Sequence, residues 1–272
     1  MIPIYVYLDF TNEMVKWNVT SGVLYGPKKL KNEVPGYISF FMVSRARTKR
    51  FWELEQRIEK VRLEKFPNKV SRLNCLYFFQ EKPKNYISNI PPFDRCNLTM
   101  AFIASDASIT KADMRWLDAA AANLLEGDAW IESYWRGEPC NISSRHMPDE
   151  PIWECLTDSD ILIMDKETRQ MCYDKSLNIH NDKVKALLML NAWAFHCGKT
   201  FGNVTYSIVH KEGKLYFYPI MNGDPNEAAQ IAIQIKHEDI DSFNALGTQF
   251  NKYPNIAFAT PDFSRFAVEI SE

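Results

Sequence analysis

The sequence predicts an α+β protein in which strands and helices are interspersed. Short apolar and aromatic runs of strand length alternate with stretches whose apolar residues recur every three or four positions, the spacing of one helix face. Proline, glycine and asparagine separate these stretches. With 272 residues, 46% of them hydrophobic and 24% charged, the chain has an ordinary globular composition and can form one large or two modest domains.

The first third of the chain is predicted to contain three strands and one helix. Residues 2–8 form the first strand, and the apolar, aromatic residues 37–43 form a short buried one. A helix follows and ends at Pro67, because proline cannot continue it. Residues 70–79 form the third strand. The helix carries an apolar stripe with helical spacing: Phe51, Leu54, Ile58 and Val61.

The middle of the chain is predicted to contain two short helices between strands. Residues 83–92 are rich in proline and asparagine, which favours an exposed loop. Thr110 and Asp113 form a capping box for a helix over residues 114–125. A second short helix ends before Gly137. The predicted strands of this region are residues 97–104, 151–156 and 160–164.

The pattern changes after Asp165, which predicts a domain over residues 1–165 and a C-terminal α+β extension of unknown role over residues 166–272. Alternatively, the tail adds strands to the first sheet. Asp182 is expected to cap a helix. The turn sequence Lys211-Glu212-Gly213-Lys214 predicts a hairpin. The hairpin strands and two closing strands are predicted over residues 204–210, 215–220, 255–259 and 265–270, with a turn at residues 222–224.

Composition also bears on the location of the protein. No apolar run approaches the ~18 residues that span a bilayer, and residues 1–10 lack the basic start and cleavage site of a secretory signal. Six cysteines occur singly, without a C-x-x-C pair, which favours free thiols over disulfides. We therefore expect a cytoplasmic protein that makes no membrane contact.

One segment is strongly basic although the whole chain has a net charge of −2. Residues 44–72 contain ten basic and four acidic residues. Such a local excess suits contact with a pyrophosphate or a nucleic acid. The alternative is a solvated helix face on which the charges form ion pairs.

Several other kinds of site lack their motifs. Gly198-Lys199-Thr200 is similar to the end of a phosphate-binding loop, but Trp193 stands where the first glycine belongs. His196 and Cys197 have no second pair at ligand spacing, so no metal site is predicted.

Four short motifs occur in one order along the chain. Over about residues 45–165 they make the chain resemble a family of uncharacterised bacterial and phage domains with an ADP-ribosyltransferase-like fold. The resemblance implies a split, mostly antiparallel sheet with flanking helices, and transfer of ADP-ribose from NAD to a protein or nucleic acid. If a phage encodes the chain, the resemblance also implies that the protein is located in the cytoplasm of the host cell. The motifs are Phe66-Pro67-Asn68-Lys69-Val70-Ser71-Arg72-Leu73, Ala112-Asp113-Met114-Arg115-Trp116-Leu117, Tyr134-Trp135-Arg136-Gly137 and Pro151-Ile152-Trp153-Glu154.

The resemblance implies that Glu154 is the catalytic residue, that NAD is the co-substrate and that no metal is needed. Cleavage of the nicotinamide bond develops positive charge on the ribose, as in glycoside hydrolysis. A preorganised carboxylate stabilises that charge. A structural carboxylate at the end of a strand is the alternative for Glu154.

The resemblance also implies a set of NAD-binding residues. Arg72 would hold the pyrophosphate, because its planar fork matches paired phosphate oxygens, and Ser71 would position the ribose. The resemblance implies that an early strand contacts the adenosine ribose, either residues 5–8 or residues 41–45. We predict Arg45 as the residue that makes this contact. The structural alternatives are a salt bridge to a helix glutamate for Arg72 and a role in a turn for Ser71. The candidates for an aromatic wall at the nicotinamide ring, each also a candidate core residue, are Tyr77, Tyr134 and Trp135.

The chain departs from the pattern at Ile152, where enzymes of this fold commonly carry an acidic or polar residue that engages the acceptor. This places modification of protein arginines in doubt. One alternative function is a catalytically inactive module that binds nucleic acid or a partner protein through the basic helix. Another is an interaction protein in which the C-terminal region does the binding.

Overall fold

The computed structural model describes residues 1–30, 36–89, 93–142, 148–194, 202–221 and 259–271. The strands are β1 (Ile2–Leu8), β2 (Val23–Leu24), β3 (Tyr37–Ile38), β4 (Leu76–Phe78), β5 (Asn97–Ile103), β6 (Ile109–Asp113), β7 (Trp153–Thr157), β8 (Ile161–Leu162), β9 (Val204–Lys211), β10 (Lys214–Met221) and β11 (Val268–Glu269). The helices are α1 (Glu13–Ser21), α2 (Pro27–Leu30), α3 (Phe40–Arg45), α4 (Lys49–Lys65), α5 (Arg115–Ala121), α6 (Ala129–Arg136), α7 (Lys166–Leu177) and α8 (Asp182–Ala194). The predicted turn at residues 222–224, most of the strand at 255–259, and Gly198-Lys199-Thr200, His196 and Cys197 lie outside the described residues.

The strands form three sheets in which every described strand pair is antiparallel. The first sheet has the order β1-β5-β8-β2, the second β11-β10-β9-β3 and the third β4-β7-β6. Tyr5 of β1 and Phe79 exchange two backbone hydrogen bonds of 2.8 Å, which join the first sheet to the third. The predicted α+β class is confirmed.

The hairpin of β9 and β10 is confirmed at the predicted position, with Lys211 opposite Lys214. Its two turn residues, Glu212 and Gly213, have φ angles of 53° and 76°. Two successive positive φ angles are typical of a type I′ turn, whose twist matches that of the flanking strands.

The second sheet combines both predicted parts of the chain. Strand β3 pairs with β9, with Tyr37 opposite Ser207. Trp17 of α1 belongs to the same apolar cluster as Leu188 of α8 and Phe217 of β10. The predicted division at residue 165 therefore does not separate two cores. Strands of the tail share this sheet with β3 of the first part of the chain.

Several predicted elements differ in kind or extent, and the closing strand predicted over residues 265–270 is limited to β11. Residues 37–43 form a two-residue strand followed by helix α3, because a short apolar run does not distinguish a strand from a buried helix. Thr110 and Asp113 lie in strand β6, where Asp113 pairs with Trp153, so the helix after them is only α5. The strand predicted over 70–79 is limited to β4.

Helix α4 buries two of the four residues of the predicted stripe, Ile58 and Val61. Phe51 and Leu54 are only half-buried, whereas Trp52, Glu55 and Ile58 are buried. A buried glutamate must be paired, and Glu55 meets an arginine from outside the helix. The first half of the helix therefore buries Trp52 and Glu55 in place of Phe51 and Leu54.

Gly137 ends α6 in a left-handed conformation, with φ 75°. A Cβ atom there would lie 3.1 Å from the Lys111 carbonyl oxygen. We expect Gly137→Ala to lower the free energy of unfolding, measured by urea denaturation. The left-handed backbone conformation should cost about 1–2 kcal/mol, and the close contact with the carbonyl oxygen should add to this loss. The matched control is Gly127→Ala, since Gly127 has φ 62° and nothing within 4 Å of the added atom. A smaller loss at Gly137 than at Gly127 would contradict the prediction.

Candidate functional site

A cavity of about 440 Å³ opens between the three sheets, within the roughly 300–1,000 Å³ typical of ligand sites. Four aromatic side chains of its wall contact one another in the order Tyr7, Phe93, Phe41 and Tyr77. The successive ring centroids are 4.7, 5.6 and 4.5 Å apart. We call these four side chains the aromatic row. They provide flat apolar surfaces against which a planar ring can pack.

Glu154 of β7 lies in the wall of this cavity. Its side chain is buried, with the residue 4% exposed. The Arg72 Nη1 atom donates a hydrogen bond of 2.6 Å to Glu154 Oε1, and the Tyr134 hydroxyl donates one of 3.0 Å to the same oxygen. Among the described residues, both hydrogen bonds to this carboxylate go to Oε1. One carboxylate oxygen is therefore held in place at the wall of the cavity.

Arg72 connects Glu154 to helix α4. Its Nε and Nη2 atoms donate to the two carboxylate oxygens of Glu55 at 3.0 and 3.3 Å, and Nη1 also donates to the Tyr134 hydroxyl at 2.6 Å. Arg72 and Glu55 are each 1% exposed. We call Arg72, Glu55, Glu154 and Tyr134 the Arg72 network. Because the charged groups of the network are buried away from water, each needs its partners to offset the free-energy cost of burial.

The charges of the network perturb one another. Burial raises the pKa of the Glu154 carboxyl, against the positive charges of Arg72 and Arg45. Burial lowers the pKa of the Arg72 guanidinium, but the carboxylates of Glu154 and Glu55 raise it to well above its usual range. Burial also raises the pKa of Tyr134, so its hydroxyl remains a neutral donor. Arg72 is therefore a permanent cation that supports an otherwise disfavoured Glu154 carboxylate.

The structure brings only two predicted site residues to the cavity, Glu154 and Tyr77. Tyr134 lies behind Glu154 as its hydrogen-bond donor. Ser71 Oγ accepts from the Leu73 backbone N–H at 3.2 Å, as expected of a turn residue. Trp135 is fully buried and donates to the Ile58 carbonyl at 3.2 Å, which agrees with its alternative as a core residue.

The two predicted arginines are occupied within the protein. All three guanidinium nitrogens of Arg72 donate to protein groups, so its predicted role in holding a pyrophosphate does not fit. The alternative of a salt bridge to a helix glutamate is the one observed. Arg45 lies at the end of helix α3 and not of a strand, and its Nε atom is 3.2 Å from Glu55 Oε1. It supports the network instead of lining the cavity.

The sequence patterns predicted no role for Glu55 or Arg95, and they placed Arg47 only among the possible phosphate contacts of the basic segment. Glu55 lies three residues after Trp52 and three before Ile58, so helical spacing alone places it on the buried face. Arg47 and Arg95 line the cavity, but they come from segments distant in sequence. No local pattern brings such residues together.

The cations of the basic segment are largely paired. Arg57 bonds to Asp128, Lys65 to Glu132 at 2.6 Å and Arg62 to Glu59 at 2.8 Å. This matches the alternative of a solvated face with ion pairs, although two of the three partners lie outside α4. The pairs hold α4 against the segment that contains α6.

The described residues include free cysteines but neither a membrane-spanning helix nor a metal cluster. No described helix is long and apolar enough to cross a membrane. No group of three or more histidine, cysteine, aspartate or glutamate residues within the described part of the chain is placed to hold a metal ion. Five cysteines are free thiols, namely Cys75, Cys96, Cys140, Cys155 and Cys172.

Comparison with known proteins gives no relative. No protein-family model matches the chain, and neither a curated protein nor a solved structure matches it.

Proposed function

We propose that this chain is an NAD-dependent ADP-ribosyltransferase with an ADP-ribosyltransferase-like fold, and that Glu154 stabilises the ribosyl oxocarbenium. One observation carries the proposal. A single buried carboxylate lies in the wall of a ligand-sized cavity, with one oxygen held by Arg72 and Tyr134. The resemblance of the four sequence motifs supports the choice of NAD.

The chemistry requires little more than this carboxylate and a dry binding site. The bond between ribose C1′ and the nicotinamide nitrogen breaks, and its electron pair leaves with the nicotinamide. An acceptor nucleophile forms the new bond to C1′ and loses its proton. Glu154 opposes the positive charge that develops on the ribose, and burial strengthens this interaction. The aromatic row suits either planar ring of NAD, the nicotinamide or the adenine, because both rings can pack against aromatic faces.

The acceptor is a macromolecule, either a protein or a nucleic acid. Ile152 is buried two residues before Glu154, and its N–H bonds to the Asp113 carboxylate at 3.0 Å. That position therefore presents no polar side chain to an acceptor. This favours an acceptor group other than the side chain of a protein arginine.

Incubation of the purified chain with NAD tests the proposal. We expect thermal unfolding to shift upward with NAD, since ligand at ~100 times its dissociation constant stabilises by about 2.7 kcal/mol. We also expect slow release of nicotinamide to water, measured by chromatography. The control is the reduced cofactor NADH, whose uncharged nicotinamide is a poor leaving group. Neither a thermal shift nor nicotinamide at millimolar NAD would contradict the proposal, and binding without release would indicate an inactive module.

A further inference from the structure

Two arginines at the cavity differ from Arg72 and Arg45 in their exposure and in their partners. Arg47 and Arg95 both line the cavity, and both are exposed. Neither guanidinium group forms a salt bridge or donates a hydrogen bond to another residue of the described part of the chain. Arg72 and Arg45, by contrast, are occupied by Glu55. Arg47 and Arg95 are therefore the guanidinium groups at this cavity that are available to a ligand.

The segments that carry these two arginines are in contact. Arg47 follows helix α3, which contains Phe41, and Arg95 comes two residues after Phe93. The rings of Phe41 and Phe93 stack, with centroids 5.6 Å apart and planes 24° apart. The two cations therefore lie on segments joined through the aromatic row. An aromatic wall with cations beside it suits a ligand that has both a planar ring and an anionic group.

Carboxylates also line the cavity, and their negative charges act against the positive charges of the two arginines. Glu154 is paired with Arg72. Asp9 accepts hydrogen bonds of 2.8 and 2.6 Å from the N–H and hydroxyl of Thr11. Asp94 is exposed and adjoins Arg95. The charge of Asp94 opposes the binding of an anion. Removal of this charge should therefore strengthen anion binding, whereas removal of an arginine charge should weaken it.

We propose that Arg47 and Arg95 bind the phosphate groups of a nucleotide whose ring packs against the aromatic row. They would take the role that sequence reasoning assigned to Arg72. Exposed guanidinium groups can form paired hydrogen bonds with phosphate oxygens at little cost, because they remain partly hydrated. The inference rests on the proposed function for the identity of the nucleotide as NAD, whereas the phosphate site does not depend on cleavage.

Calorimetric binding of ADP and of adenosine separates the phosphate contribution from that of the ring. We expect the native chain to bind ADP more tightly than adenosine. The double variant Arg47→Gln/Arg95→Gln should weaken ADP binding by roughly 10- to 100-fold, the scale of one or two charge-assisted hydrogen bonds, and leave adenosine binding unchanged. Asp94→Asn should strengthen ADP binding. Arg50→Gln and Arg136→Gln change exposed arginines outside the cavity wall and should leave both affinities as they are.

Two results would overturn the phosphate site: ADP binding no more tightly than adenosine, or equal ADP affinity in the native chain and the double variant. The two proposals fail separately. Loss of ADP binding in the double variant, in a chain that does not cleave NAD, would support the phosphate site and refute the proposed function. Cleavage of NAD by the double variant with an unchanged KM would refute the phosphate site and leave the proposed function standing.

Discussion

Replacement of Glu154 by glutamine is expected to lower nicotinamide release from NAD by roughly 100-fold or more, the usual effect of losing one preorganised electrostatic contact. Glutamine retains the shape of the side chain and an oxygen that accepts hydrogen bonds from Arg72 and Tyr134. Arg72 also keeps its pairing with Glu55. The loss should therefore fall on kcat, with the fold and the affinity for NAD largely kept. Initial rates and calorimetric titration measure the two quantities.

The pH dependence of the same reaction provides a second check. Burial raises the pKa of Glu154 above the ordinary 4.5, and only its ionised form opposes the ribosyl charge. Release should therefore decline as the pH falls through a midpoint above 4.5, and the Glu154→Gln variant should lack this decline. Glu138→Gln, at a half-exposed surface position, is the control and should behave as the native chain. Unchanged turnover in Glu154→Gln would show that Glu154 is structural.

Replacement of Arg72 by methionine is expected to lower the free energy of unfolding by about 3–5 kcal/mol, because it leaves buried carboxylates without their cation. Methionine fills similar space but cannot donate to Glu55, Glu154 or Tyr134. Urea denaturation followed by tryptophan fluorescence measures the loss. Arg136→Met is the matched control: it removes an arginine that is about half exposed and pairs with Glu132, and exposed pairs contribute only about 0–1 kcal/mol.

The deficit of Arg72→Met should also depend on pH. Burial raises the pKa of Glu154, and the Arg72 charge opposes that rise, so the pKa rises further without Arg72. A carboxyl whose folded pKa is raised contributes stability at low pH and loses it as the pH rises through that pKa. The deficit should thus be smallest in acid. Adding Glu55→Gln and Glu154→Gln should remove most of this pH dependence, and a deficit independent of pH would contradict the buried-charge explanation.

Features that depend on neighbouring residues were predictable from the sequence. Helical spacing and Gly137 predict α6, and the Glu212-Gly213 turn predicts the hairpin of β9 and β10. The strand predicted over residues 151–156 contains Glu154, which agrees with its position in β7. In each case the signal lies within about ten residues, where backbone geometry and side-chain periodicity determine local structure.

The role of each buried charge could not be predicted in this way. Arg72 is 17 residues from Glu55 and 82 from Glu154 along the chain, and the three meet only when α4 packs beside the third sheet. Because burial of a charge is costly without a partner, the packing of distant elements makes Arg72 a support for Glu154 and excludes it from binding a ligand. The same packing joins the segments of Arg47 and Arg95 through two stacked phenylalanines. Local sequence determines which side chains are present and which element holds them, whereas long-range packing determines which charges are neutralised inside the protein and which remain available at the cavity.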